Sequence, residues 1–127
     1  MPDPVIDDLG NKFWWLNNQL HREDGPAVEW ANGSKEWYLK GQIHRSIDAF
    51  RTKRWYNEAG QLHRPDGHAV EYLNGGKQWW VNGQKHREDG PACELAGCDK
   101  RWYFHGREYT EEEFALLQFM NGINIYA

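Results

Sequence analysis

At 127 residues, with 39% apolar and 27% charged side chains, the chain has the size and make-up of one ordinary globular domain. Fifteen Lys and Arg against nineteen Asp and Glu leave a formal charge of −4, which excludes bulk electrostatic binding to nucleic acid, whose usual footprint is a strongly basic domain. Eight Trp, six Tyr and five Phe beside 13 Gly predict an aromatic core carried between many tight turns.

Residues 1–12 read as an N-terminal segment. Met1-Pro2-Asp3-Pro4-Val5-Ile6-Asp7-Asp8 contains no basic stretch followed by an apolar run. Nowhere does the chain approach the roughly 20 apolar residues needed to cross a bilayer, so no membrane partner is expected. The two cysteines, Cys93 and Cys98, are too few for a secreted disulfide framework, and the expectation is free thiols in the cytoplasm.

Over residues 13–109 the chain repeats itself five times, in units of about 23 residues. Each unit opens on an aromatic pair: Trp14-Trp15, Trp37-Tyr38, Trp55-Tyr56, Trp79-Trp80 and Trp102-Tyr103. His21, His44, His63 and His86 follow, each succeeded by arginine (Arg22, Arg45, Arg64, Arg87), with Tyr109 in the last unit. Asp24-Gly25-Pro26-Ala27 and Asp89-Gly90-Pro91-Ala92 come next in the first and fourth units, and Asp66-Gly67-His68-Ala69 in the third. Between the aromatic pair and the histidine stands a turn: Asn17-Asn18, Lys40-Gly41, Ala59-Gly60, Asn82-Gly83 or His105-Gly106. A second turn, Asn32-Gly33 or Asn74-Gly75, precedes the next Trp. Asn-Gly between short β-prone runs is a hairpin signal, because a type I′ turn needs positive φ at both central residues. A hairpin this small is not stable alone, so the units must stack. The expected fold is an all-β solenoid or meander of antiparallel hairpins.

These units resemble MORN repeats, and in particular the Trp-Tyr-x-Asn-Gly-x-x-His-Arg-x-Asp-Gly-Pro-Ala variety of bacteriophage and large-virus proteins. The resemblance implies a non-enzymatic protein-binding role. It also implies a phage-encoded inhibitor of a host protein, for example a component of antiviral defence, acting in the host cytoplasm.

The second unit breaks the spacing. Histidine to the next leading Trp spans 16 residues in units one, three and four but 11 from His44 to Trp55, so five residues are missing. Ser46 to Arg54 therefore reads as a stretch without the Gly-Pro turn or the second hairpin arm. It gathers Arg51, Lys53 and Arg54 beside Phe50, which reads first as a tolerated deletion in a repeat array and, as the alternative, as a partner contact, since cation and aromatic together suit one.

After the last repeat, Thr110-Glu111-Glu112-Glu113 has the form of a capping box. A short helix over 110–121 is predicted to lay its apolar residues over the end of the stack, with Asn121-Gly122 as its stop and 122–127 as a tail. Phe119, Ile123, Ile125 and Tyr126 offer a homodimer contact as an alternative use.

For chemistry, the recurring His-Arg-x-Asp element comes first. Stacked units would align the histidines in one column and Arg22, Arg45, Arg64 and Arg87 in another. The same group in every unit is what a structural role demands, whereas an enzyme gathers unlike groups in one pocket. Pairing of Arg22 with Asp24, Arg64 with Asp66 and Arg87 with Asp89 would close the loops. The competing reading is a nucleotide or other anion sequestered by the arginine column against Trp faces. His86, Cys93, Cys98 and His105 have ligand types that suit zinc. Against that, Cys93 takes the place of Val28 and Val70, Cys98 that of Gly33 and Gly75, and His105 a hairpin tip. No cofactor, metal site or catalytic residue is expected.

Overall fold

The computed structural model describes residues 3–97 and 99–121. The protein is an all-β meander of antiparallel hairpins with one C-terminal helix, and its contacts divide it into two compact units, Met1–Gln61 and Leu62–Ala127. Among the described residues no helix is long and apolar enough to cross a membrane.

The first unit contains β1 (Val5–Ile6), β2 (Lys12–Phe13), β3 (Trp15–Leu16), β4 (Gln19–Leu20), β5 (Val28–Glu29), β6 (Lys35–Leu39), β7 (Gln42–Ile47) and β8 (Lys53–Trp55). Its sheet runs β1-β2-β5-β6-β7-β8, every neighbour antiparallel, with β3 and β4 paired separately. The second unit contains β9 (Val70–Glu71), β10 (Lys77–Gln78), β11 (Trp80–Val81), β12 (Gln84–Lys85), β13 (Cys93–Leu95), β14 (Asp99–Phe104), β15 (Arg107–Tyr109) and α1 (Glu111–Met120). Here the order is β9-β10-β13-β14-β15, and β11 pairs with β12 apart.

In the first and fourth repeats the leading Trp marks where a strand changes partner. Trp14 donates its N–H to Ala27 O at 2.8 Å and accepts from His21 N at 3.0 Å; Trp79 does the same with Ala92 and His86. The chain therefore pairs with one neighbour before the Trp and with its own hairpin arm after it.

Two turn types join the strands. Asn17-Asn18, Lys40-Gly41, Asn82-Gly83 and His105-Gly106 hold positive φ at both residues, as the tight hairpin requires. The wider turn spans five residues, 7–11, 30–34, 48–52, 57–61 and 72–76. In each, the first N–H donates to the fifth carbonyl and the fourth N–H returns to the first, at 2.8 to 3.2 Å. Ala59-Gly60 belongs to this second type and not, as expected, to the first. Asn57 Oδ1 accepts from both Ala59 N and Gln61 N at 3.0 Å and fixes the wider loop, an Asx-type closure.

The second repeat also differs from expectation. Its deletion removes the Asp-Gly-Pro-Ala loop but not the second arm: β7 passes through the turn at 48–52 into β8, with Arg45 opposite Trp55, Ser46 opposite Arg54 and Ile47 opposite Lys53. A short strand can follow the histidine directly because Arg45 takes the place opposite the leading Trp that Ala27 and Ala92 hold in the regular repeats.

Nor is the core chiefly aromatic. Ala27, Ala69 and Ala92 are fully enclosed, with Val28, Val70 and Cys93 beside them, and among the tryptophans only Trp14 is buried, at 8% exposure. An open sheet closes over an alanine or valine between neighbouring strands. An indole, with roughly 150–250 Å² to cover, keeps one face toward solvent. Cys93 thus stands in a core position equivalent to valine, and burial pushes its thiol up from its ordinary value.

At the C-terminus Thr110 and Glu113 form both bonds of the capping box. Phe114 and Gln118 face inward, and Gln118 Nε2 donates to Glu88 O. Leu116, Phe119 and Met120 point to solvent, so of the apolar residues expected to cover the stack Phe114 alone is buried, with Ala115 and Leu117 half-buried. Asn121 stops the helix through two bonds to Leu117 O. Gly122, Ile123, Ile125 and Tyr126, named for the helix stop and for a dimer contact, lie outside the described residues, as does Cys98.

Candidate functional site

In the regular repeats the arginine after histidine is fully employed. The Arg22 guanidinium lies 4.0 Å above the Trp14 ring, donates from Nε to Asp24 at 2.9 Å and from an Nη to Pro26 O at 3.1 Å. Arg87 repeats this over Trp79 at 3.8 Å, with Asp89 at 2.8 Å, Pro91 O at 3.1 Å and Glu94 at 3.2 Å. The bond from Arg22, with its charge, holds the Asp24 carboxyl below the usual carboxylate range. The guanidinium packs so closely on the loop that a Cβ at Gly25 or Gly90 would stand 2.9 or 3.0 Å from the arginine Cζ, which accounts for glycine there. Arg64 is looser: Asp66 is 3.6 Å away and the equivalent Cβ at Gly67 would clear the arginine by 3.7 Å.

In the first, third and fourth repeats the histidine joins its repeat to the next hairpin. Nδ1 of His21 accepts the backbone N–H of Lys40, that of His63 the N–H of Asn82, and that of His86 the N–H of His105, each at 2.9 Å and across 19 residues. An Nδ1 that accepts such a bond carries no proton, so the neutral ring is the Nε2–H tautomer. Glu23 and Glu88 lie 3.5 Å from Nε2 of His21 and His86. The neighbouring backbone reinforces the link, for Arg22, Arg64 and Arg87 donate N–H to the carbonyls of Tyr38, Trp80 and Tyr103. The sequence showed the histidine column but not its bond. Its signal is the constant 19-residue step from histidine to the first residue of the next tight turn.

The second repeat departs from this scheme at the residues singled out in the sequence. Arg45 follows His44 as its sisters follow theirs, yet the deletion also puts it where Ala27 precedes the second arm. It therefore sits across from Trp37 on one side and Trp55 on the other, its guanidinium 4.7 and 5.5 Å from their rings. Among the described residues no carboxylate or carbonyl replaces those of the lost loop: its Nε is buried with no hydrogen-bond partner, a deficit that costs on the order of 1–3 kcal/mol in a folded protein.

The turn beyond it is organised by Asp48, which accepts from Phe50 N at 2.9 Å, Thr52 N at 3.0 Å and Arg54 at 2.9 Å. Burial works against the Asp48 charge, but the Arg54 bond and these N–H groups outweigh it and keep its carboxyl low. Arg54 is thereby tied down, and Lys53 is half-buried in β8. At the apex, Phe50 is 82% exposed and Arg51 holds φ at +67°. The equivalent fourth residue is Gly10, Gly33, Gly60 or Gly75 in the other wide turns, with φ between +78° and +92°. Of the four candidates in this stretch, the structure places Phe50 and Arg51 together and exposed, and the other two behind them in the sheet.

The loops 64–67 and 86–89 of the second unit line a groove of about 710 Å³ together with Trp79. Its two arginines are matched by Asp66, Glu88 and Asp89, so it offers no net positive charge to a phosphate. His86 and His105 lie close, ring centroids 4.4 Å apart, but the Nδ1 of His86 is taken by His105 N. Among the described residues no group of three or more His, Cys, Asp or Glu is placed to hold a metal ion. Comparison with family models, with curated proteins and with solved structures found no match to the chain.

Proposed function

We propose that this chain is a non-enzymatic binding protein that docks on a protein partner through the turn of its irregular second repeat. Phe50 and Arg51 form the apex, with Lys53, Arg54 and the nearby Arg45 behind them. One observation carries the reading: an exposed phenylalanine stands beside an arginine held in the left-handed region, where the other four wide turns among the described residues have glycine. An unfavourable backbone conformation kept for a cation, next to an apolar side chain with nothing to cover it, is the pattern of an interface anchor. His21, His63 and His86, and Arg22 and Arg87, speak against catalysis, since each set repeats the same internal bonds from unit to unit.

The resemblance to phage-type repeats narrows the partner to a host protein, such as a component of antiviral defence, which the protein would inhibit. Purification from a bacterial lysate followed by native mass spectrometry tests this. The wild type is expected to retain a stoichiometric protein partner that Phe50→Ser and Arg51→Glu each lose. Retention of the same partner by both variants, or no partner at all, would refute docking at this turn.

A further inference from the structure

We propose that Arg45, Trp37 and Trp55 form a receptor for one carboxylate, supplied in trans by an acidic segment of the protein partner. The proposal rests on the docking reading above and gives that partner its chemistry. The three side chains lie abreast on β6, β7 and β8, with both indoles directly across from the arginine and the guanidinium within 5.5 Å of each ring centroid.

The regular repeats define what is missing. Arg22 has Asp24, Arg64 has Asp66, and Arg87 has Asp89 and Glu94. The aspartates sit on the five-residue loop that the second repeat lacks, and Arg45 keeps a buried Nε with no acceptor among the described residues. Its own three strands put no carboxylate on this face, and Glu29 of the neighbouring β5, opposite Lys35, lies 3.8 Å from Arg22. By the two-residue alternation, the next row on this face is Lys35, Ile47 and Lys53. Glu36, the acidic residue of these three strands, lies on the opposite face, where it accepts from Trp30 and Tyr38. Because Arg45 is half-buried and not enclosed, an incoming carboxylate can reach the guanidinium from the solvent side. The two indoles restrict its orientation, and a planar fork so restricted loses little freedom on forming charge-assisted bonds. The ligand class follows from the sister repeats, where the arginine after histidine takes a carboxylate in each case.

The test is a titration of the ¹⁵N-labelled full chain with hexaglutamate, following the Nε–H signal of Arg45 and the indole signals of Trp37 and Trp55. These signals are expected to move and saturate. Arg45→Met should weaken binding by at least about tenfold while the rest of the amide spectrum stays in place. Re-insertion of Glu-Asp-Gly-Pro-Ala after Arg45, which restores a carboxylate within the chain, should weaken it likewise. No movement in the wild type, or equal movement in Arg45→Met, overturns the receptor. So does equal affinity for inorganic phosphate, which would make the position a general anion site. Phe50→Ser separates the two readings: it is expected to lose the lysate partner and keep the hexaglutamate response. If it keeps both, docking at the turn fails and the receptor stands; if the wild type captures its partner but ignores hexaglutamate, the receptor alone fails.

Discussion

Replacing Arg51 by glycine should stabilise the protein even as it removes a cation from the docking turn. An L-residue in the left-handed region costs roughly 1–2 kcal/mol, and glycine gives back about 0.5–1 kcal/mol through its greater freedom in the unfolded chain. The four sister turns already carry glycine at this place, so the backbone needs no rearrangement, and the bond from residue 51 N–H to Asp48 O, at 3.0 Å, is made equally well by glycine. The exposed Arg51 side chain takes part in no ion pair or hydrogen bond among the described residues. The expected net gain is about 0.5–1 kcal/mol, which at roughly 2.1 cal/mol/K per residue corresponds to a rise in Tm of about 2–4 °C for a chain of this length. Urea titration at pH 7 measures it, and Gly75→Arg serves as the mirror variant, expected to lose a comparable amount. A destabilised Arg51→Gly, or a Gly75→Arg as stable as the parent, would show that the backbone at this turn is not strained.

Acid should weaken the fold before the carboxylates titrate. His86 is held below its ordinary value by burial and then by His105, against the opposing pull of Glu88, and His44 by burial and then by Arg45. Both bind a proton less readily folded than unfolded. Their contribution is therefore present above about pH 6.5 and is lost as the pH falls through the folded pKa. The urea midpoint is expected to drop between pH 7 and 5, and His86→Asn, whose side-chain oxygen can accept the same N–H without titrating, should flatten that slope; a midpoint indifferent to pH in this window contradicts the account. Arg87→Ala removes a stacked guanidinium and three acceptor contacts and should cost about 2–3 kcal/mol, whereas Arg45→Met, which breaks no hydrogen bond, should cost less than about 1 kcal/mol; denaturation of the pair compares them directly. Thr110→Ala should lose about 1 kcal/mol and reduce the helical signal in circular dichroism; unchanged helicity and stability would mean that the cap is dispensable.

The meander was legible in the sequence because its turns demand particular residues. Asn-Gly and similar pairs mark positive φ, and the regular return of the Trp pair fixes the strand period. What governs packing was less visible. Ala27 and Val28 fill the enclosed positions, while the conspicuous indoles other than Trp14 stay at least half open, because composition reports how large a side chain is and not whether a second layer exists to cover it. Ala59-Gly60 misled for a related reason: glycine satisfies either turn, and the choice was made by the Asn57 side chain two residues earlier. At the candidate site, the cations of the second repeat could be picked out, but not which of them were engaged. Arg54 is held by Asp48 and Arg45 lost its acceptors, distinctions that depend on where a five-residue gap falls relative to the strand. Arg51 could have been found from sequence alone, by aligning the turns and noting that it and Cys98 stand where Gly10, Gly33, Gly60 and Gly75 do in the others.

The histidine links also bear on how the chain comes to be folded. Each joins groups 19 residues apart, and closing a loop of that size costs little more entropy than closing one half as long. Within each compact unit a linked repeat needs only the following hairpin in order to dock, so order can spread there from the first pair that forms. On the ribosome, His21 could find Lys40 as soon as the second hairpin emerges, long before the C-terminal helix has been made, and structure would then accrue at about the pace of synthesis.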